Sequence, residues 1–264
     1  MKTMHLATSL AGALLLMAAG VVHAAAPASE PANRADRNGW PQPTGDNAPN
    51  TFVLLDLFEL QAGKGPANVR WDWYGWYGGD VDRLWIKTEG TQSTSSRGSG
   101  DPEAQILYGR LISPFFDAQA GVRVRYRSGP SGPGNKRVRT YASFGVQGIA
   151  PYRYELEPTV FVSDQGQISA RVTATYDQLL TQRLILQPRF EFNVAATRDL
   201  ALGVGSGLND TELGARLRYE IRREFAPYVG VTWKQSYGET GRLVRAEGEP
   251  SSLVLVVVGV RLWF

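Results

Sequence analysis

Cysteine is absent from the chain, and its three methionines and two histidines are confined to Met1, Met4, Met17, His5 and His23. No disulfide is available to hold a small core together, so closure of the fold itself has to supply that stability. The one long apolar run, Leu6 to Val22, is short for a spanning helix and has no counterpart later in the chain. Lys2 precedes this run and Ala24, Ala25 and Ala26 follow it, the pattern of a secretory signal peptide over residues 1–24, with cleavage after Ala24 or Ala26. A chain processed in this way keeps no thiol, thioether or imidazole. Catalysis by a histidine base is then excluded and an enzyme is not expected. Soft-metal centres are excluded with it, leaving oxygen ligands alone. The formal net charge of +3 is too small to argue for a nucleic-acid partner.

Residues 25–50 are rich in Pro, Asn and Asp and offer little to bury, so a disordered periplasmic arm without Met or His is expected there. From Thr51 onward the pattern changes to a period of two. In DAQAGVRVRYR, Asp117, Gln119, Arg123, Arg125 and Arg127 lie opposite Ala118, Ala120, Val122, Val124 and Tyr126. The same alternation sets Arg171 and Asp177 against Val172 and Tyr176, Glu212, Arg216, Arg218 and Glu220 against Leu213, Leu217, Tyr219 and Ile221, and Arg189 and Glu191 against Phe190 and Phe192. In YRYELEPTV it sets Arg153, Glu155 and Glu157 against Tyr152, Tyr154 and Leu156. Strands of roughly ten residues, with apolar faces ending in aromatics, match a bilayer better than a soluble sandwich, whose strands average about five or six.

Short connections at Gly78 to Asp80, Ser113 to Phe116, Ala150 to Pro151, Leu179 to Thr181 and Arg223 to Pro227 alternate with longer polar loops at Thr91 to Pro102, Ser128 to Arg137, Ala196 to Asp210 and Tyr237 to Ser252. One loop on the longer side, Asp164 to Gly166, is short. LVLVVVGVRLWF would be an exposed sticky edge in a soluble sheet but has no free edge as the closing strand of a barrel. The fold expected over residues 51–264 is therefore all-β, a transmembrane antiparallel barrel of about twelve strands, with ten as the alternative count, in the bacterial outer membrane. Lipid is its expected surround and a monomer its expected state. GVGSGLND, Gly203 to Asp210, resembles a phosphate loop only superficially, because no Lys follows and no strand–loop–helix unit surrounds it. GKG, Gly63 to Gly65, reads as a hairpin turn.

Function is expected in the lumen. Arg83, Lys87 and Glu89 share a face of DRLWIKTEG and join the basic set Arg123, Arg125, Arg127, Arg153, Arg171, Arg189, Arg216 and Arg218. These charges either pair across strands and fill the barrel or line a polar path that favours anions.

The blocks DRLWIKTEG, FGVQGIAPY, YDQLLTQRLILQPRFE, GVGSGLNDTELGARLRYEIRREFAPYVGV and the ending GVRLWF resemble the bacterial copper resistance protein B family, over nearly everything from Phe52 to Phe264. The resemblance implies an outer-membrane barrel that works beside a periplasmic multicopper oxidase and moves or sequesters copper. Family members often carry a Met- and His-rich arm, and residues 25–50 here contain neither. No tightly bound cofactor is expected. Copper, as a weakly bound or transported ion, would meet carboxylates such as Glu89, Glu155, Glu157, Asp177, Glu191, Glu212 and Glu220. A conduit or partner in copper resistance is the leading expectation; a narrow general or anion-preferring pore and a structural docking barrel are the alternatives.

Overall fold

The computed structural model describes residues 49–95, 99–127 and 138–264; the expected signal peptide and nearly all of the expected arm lie outside these residues. Twelve long strands follow one another around a closed antiparallel barrel: β1 (Asn50–Ala62), β2 (Asn68–Gly78), β3 (Asp82–Ser93), β4 (Glu103–Ser113), β5 (Phe116–Tyr126), β6 (Val138–Ala150), β7 (Tyr154–Ser163), β8 (Ile168–Tyr176), β9 (Leu184–Ala195), β10 (Gly207–Tyr219), β11 (Phe225–Ser236) and β12 (Ser252–Trp263). A two-residue stretch, Gln178–Leu179, continues the pairing of β8 along β9. Closure comes from β1 against β12, where Phe264 and Val53 exchange backbone hydrogen bonds of 2.9 and 3.0 Å. The apolar ending thus has no open edge.

Alternation fixes what each strand shows. On β5, Asp117, Gln119 and Arg123 point inward and are buried, while Val122, Val124 and Tyr126 point outward and are exposed. Around the barrel Ile86, Ile106, Val122, Phe144, Val160, Leu213, Val231 and Val258 continue this outward apolar belt. Tyr77, Tyr108, Tyr154, Tyr219 and Phe225 ring the belt beside one set of strand ends, the position of an interfacial aromatic girdle. No described helix is long and apolar enough to cross a membrane; strands of 9–13 residues have the length for it.

Both chain ends of the barrel lie at the girdled end, together with the short connections 79–81, 114–115, 151–153, 177–183 and 220–224. The opposite end carries the connections 63–67, 164–167, 196–206 and 237–251, with the described residues 94–95 and 99–102. Two of these hold structure of their own. Leu200–Leu202 forms a 3-10 turn closed by Gly203 in the left-handed region, and Gly238–Ala246 forms a nine-residue helix, α1. The loops expected at Tyr237 to Ser252 and Ala196 to Asp210 are therefore partly ordered: the first contains α1, and the last four residues of the second already belong to β10, which begins at Gly207.

β1 departs from plain alternation. A bulge between Leu55 and Leu57 inserts Asp56, so Phe52 and Leu54 before it and Leu57, Glu59 and Gln61 after it all face inward. Asp56 meets Arg261 of β12 at 2.8 Å.

Candidate functional site: a lumen crossed by ion pairs

Charged residues from strands on opposite walls meet at mid-barrel. Arg171 of β8 reaches Glu103 of β4, with Nη1 and Nη2 at 3.2 and 3.3 Å from its carboxylate, and pairs with Glu89 of β3. Glu103 also holds Arg123 of β5. Arg171 lies 3.7 Å from Glu191 of β9, and Glu191 is 3.4 Å from Arg70 of β2. Arg70 in turn crosses to Glu212 of β10, which meets Lys234 of β11 at 3.4 Å. The result is one chain of alternating sign, Arg123–Glu103–Arg171–Glu191–Arg70–Glu212–Lys234. A second crossing joins Arg189 of β9 to Asp72 of β2 at 2.8 Å. Charges buried in a barrel interior persist only when paired or hydrated, and this arrangement pairs them.

Two cavities lie along the lumen. A chamber of about 320 Å³ lies on the loop side and a smaller cavity of about 70 Å³ on the other, and Glu89, Phe161 and Arg171 belong to the walls of both. These three side chains stand between the two cavities.

Toward the short turns the lumenal wall of β1–β3 becomes aromatic. Phe52 stacks on Trp76 at 6.1 Å between ring centres, and Tyr74 and Trp76 pack on Trp85 at 5.8 and 6.3 Å. Arg83 lies over Trp76 and pairs with Asp117 at 2.9 Å, and Lys87 bonds Gln147 at 2.8 Å and Glu157 at 2.5 Å.

At the other end the 196–206 loop folds inward. Asp199 accepts hydrogen bonds from the Ala201 and Leu202 amides and pairs with Arg139 at 2.8 Å, which turns Leu202 down onto Tyr141 and Phe161. Arg127 donates to the Leu202 carbonyl and pairs with Glu247 just after α1, at 2.6 Å. Thr240 of α1 accepts from the Gly205 amide and donates to Asn209, at 2.8 and 3.1 Å, so both loops are tied over the chamber. Burial pushes the Asp101 carboxyl up, but the guanidiniums of Arg125, which it also hydrogen-bonds, Arg123 and Arg127 together outweigh burial and hold it below the usual carboxylate range.

Of the basic residues singled out from the sequence, Arg83, Lys87, Arg123, Arg125, Arg171, Arg189, Arg216 and Arg218 lie on inward faces, and Arg127 borders the chamber. Arg153 does not belong with them. It is exposed in the Pro151–Arg153 turn with φ 67°, beside Tyr152 at φ 66°, so the alternation begun at Tyr154 does not extend back to it.

The candidate copper-contacting carboxylates are dispersed, and most are engaged by cations. Glu89 pairs with Arg171, Glu157 with Lys87, Asp177 with Arg218 at 2.8 Å and Glu220 with Arg218 at 3.7 Å; Glu191 and Glu212 sit in the cross-lumen chain. Glu155 accepts from Gln147 and Thr175 at 3.5 Å. Among the described residues no group of three or more His, Cys, Asp or Glu side chains is placed to hold a metal ion.

Arg70, Glu103, Glu59 and Lys234 were not singled out from the sequence. Glu103 with Gln105, against Ile106 and Tyr108, carried the usual alternating signal. Arg70 was obscured by the tryptophans around it, and Glu59 by the bulge at Asp56.

The sequence profile of the copper resistance protein B precursor family matches residues 50–264. Copper resistance protein B of Escherichia coli is 46% identical over 219 residues, which cover 83% of this chain and 71% of that protein. The chain belongs to the copper resistance protein B family. A second member, the copper resistance protein B homolog of Pseudomonas syringae pv. tomato, is 42% identical over the same shares of the two chains. Among solved structures the NanC porin superposes with a TM-score of 0.51 at 11% identity, covering 81% of this chain and 99% of that one, a likeness of fold alone. In this copper resistance protein B relative, then, a porin-like barrel carries a lumen bridged by paired charges.

Proposed function

We propose that the chain sits in the bacterial outer membrane, short turns toward the periplasm, and contributes to copper tolerance as a narrow conduit or as the partner of a periplasmic copper-handling protein such as a multicopper oxidase. It does so without catalysing a reaction and without storing copper. Family membership supports the link to copper, and the apolar belt with its aromatic girdle supports the membrane setting. The observation that carries the mechanism is the alternating chain from Arg123 to Lys234. It spans the lumen with paired charges and engages most of the candidate carboxylates with arginine or lysine, so copper passes as a weakly held substrate. Residues 49–264 contain no Met, His or Cys, and the oxygen donors that remain give weak contacts.

Deleting the gene and growing cells on graded copper tests the role: tolerance falls, and a plasmid copy restores it. Unchanged tolerance favours the reading as a general anion-preferring pore, which draws on Arg123, Arg125 and Arg127 at the chamber wall. Calorimetric titration with Cu(I) and Cu(II) tests the storage part, and submicromolar binding refutes it.

A further inference from the structure

The inward-folded loop 196–206 is built as a piece of its own. Asp199 and Val204 exchange backbone hydrogen bonds of 2.7 and 2.9 Å, and the turn between them is capped by Asp199 and closed by Gly203 at φ 69°. Its stems are short: Ala196 and Thr197, which bond Ile168 at 2.9 and 3.0 Å, lead into it, and Gly205 and Gly207, the second at φ 91°, lie on the way out. Side chains at its rim tie it to its surroundings. Asp199 holds Arg139 at 2.8 Å, the Gly205 amide donates to Thr240 of α1 at 2.8 Å, and Arg127 grips the Leu202 carbonyl. Arg127 also pairs with Glu247 at 2.6 Å, so one guanidinium fastens both long loops.

The underside of this piece is apolar. Leu202, 1% exposed, rests on Tyr141 and Phe161, and Phe161 is one of the three side chains that stand between the two cavities. Arg123 and Arg171 lie over the Phe161 ring at 4.1 and 5.8 Å from its centre, and both hold Glu103. The ring is thus gripped from the loop side by Leu202 and across the lumen by the charged chain, and close packing lets it turn only when one grip is released. Segments held by few apolar contacts and by side-chain bonds open locally at low cost, and hinges are short stretches of loop. We propose that residues 198–205 are a lid over the larger chamber that swings as one piece on its two stems, and that Leu202 couples it to Phe161. Opening the loop-side mouth and loosening the passage between the cavities are then one event, whatever the barrel conducts.

The test uses the full mature chain refolded in lipid, with Ser169→Cys as a reporter on the chamber wall, in a chain that has no other thiol. The probe, 2-(trimethylammonium)ethyl methanethiosulfonate, is expected to modify this thiol slowly behind the wild-type lid and at least tenfold faster when Leu202→Ala or Arg127→Gln is added. In planar bilayers Leu202→Ala raises conductance severalfold, Phe161→Ala does the same, and the two together give no more than the larger single gain, as required of residues acting through one contact. Modification rates that neither lid substitution changes overturn the proposal. So does a conductance that Leu202→Ala leaves at the wild-type value, and so do gains that multiply in the double variant. Arg127→Gln leaves the Leu202 side chain and Phe161 in place, so the modification rates decide the outcome even where Leu202→Ala fails to fold.

Discussion

Replacing Glu59 by leucine isolates the most deeply buried ion pair of the barrel. The Glu59 side chain is 0% exposed and that of Arg216 is 1% exposed. The Glu59 carboxylate accepts two bonds of 2.8 Å from Arg216, one of 3.1 Å from Tyr228 and one of 2.8 Å from Gln61. Glu59→Leu leaves a guanidinium buried without its counter-ion, a loss of about 3–5 kcal/mol. Arg216→Leu strands the carboxylate and costs about the same. Removing both leaves no uncompensated charge, and apolar replacements of buried pairs are often close to neutral, so the double variant is expected within about 1–2 kcal/mol of wild type. The singles therefore fail to add by at least ~3 kcal/mol, as expected for residues in direct contact. Urea unfolding in lipid vesicles, followed by the fluorescence of the seven tryptophans, measures all four proteins. Additive losses, or single losses below about 1 kcal/mol, would refute the view that lumenal charges are held in place by their partners.

Further outcomes follow from the same structure. Val258→Arg places a charge at mid-strand on the outward belt and is expected to cost about 2–4 kcal/mol in vesicles, whereas Arg153→Ala, in an exposed turn, stays within about 0.5 kcal/mol; equal effects would contradict the assignment of the belt to lipid. Leu202→Asp puts a charge against Tyr141 and Phe161 and is expected to release the 196–206 loop. Limited proteolysis then cuts this variant within that loop faster than wild type, and identical cleavage would count against the inward fold.

Strand identity was legible because the lumenal and outward faces demand opposite chemistry, so DAQAGVRVRYR and ELGARLRYEI announce their orientation residue by residue. The pairing of charges was not legible. Arg171 finds Glu89 and Glu103 four or five strands away around the barrel, and such meetings depend on closure and register, neither of which a single strand encodes. Position 153 was misread because the period of two continues through a turn in which Tyr152 and Arg153 take left-handed backbone angles. The aromatic wall of Phe52, Tyr74, Trp76 and Trp85 was hidden by the expectation that aromatics face lipid. α1 escaped notice because its sequence, GETGRLVRA, holds two glycines, which weaken the helical signal.

Whether Glu89, Phe161 and Arg171 block the lumen between its two cavities is tested most directly by single-channel conductance in planar bilayers. Wild-type barrels are expected to pass little current, far below an unobstructed barrel of twelve strands, while Arg171→Ser, which frees Glu89 and loosens Glu103 and Glu191, raises conductance severalfold and shifts selectivity toward cations. A large wild-type conductance that the substitution at Arg171 leaves unchanged would contradict such a block.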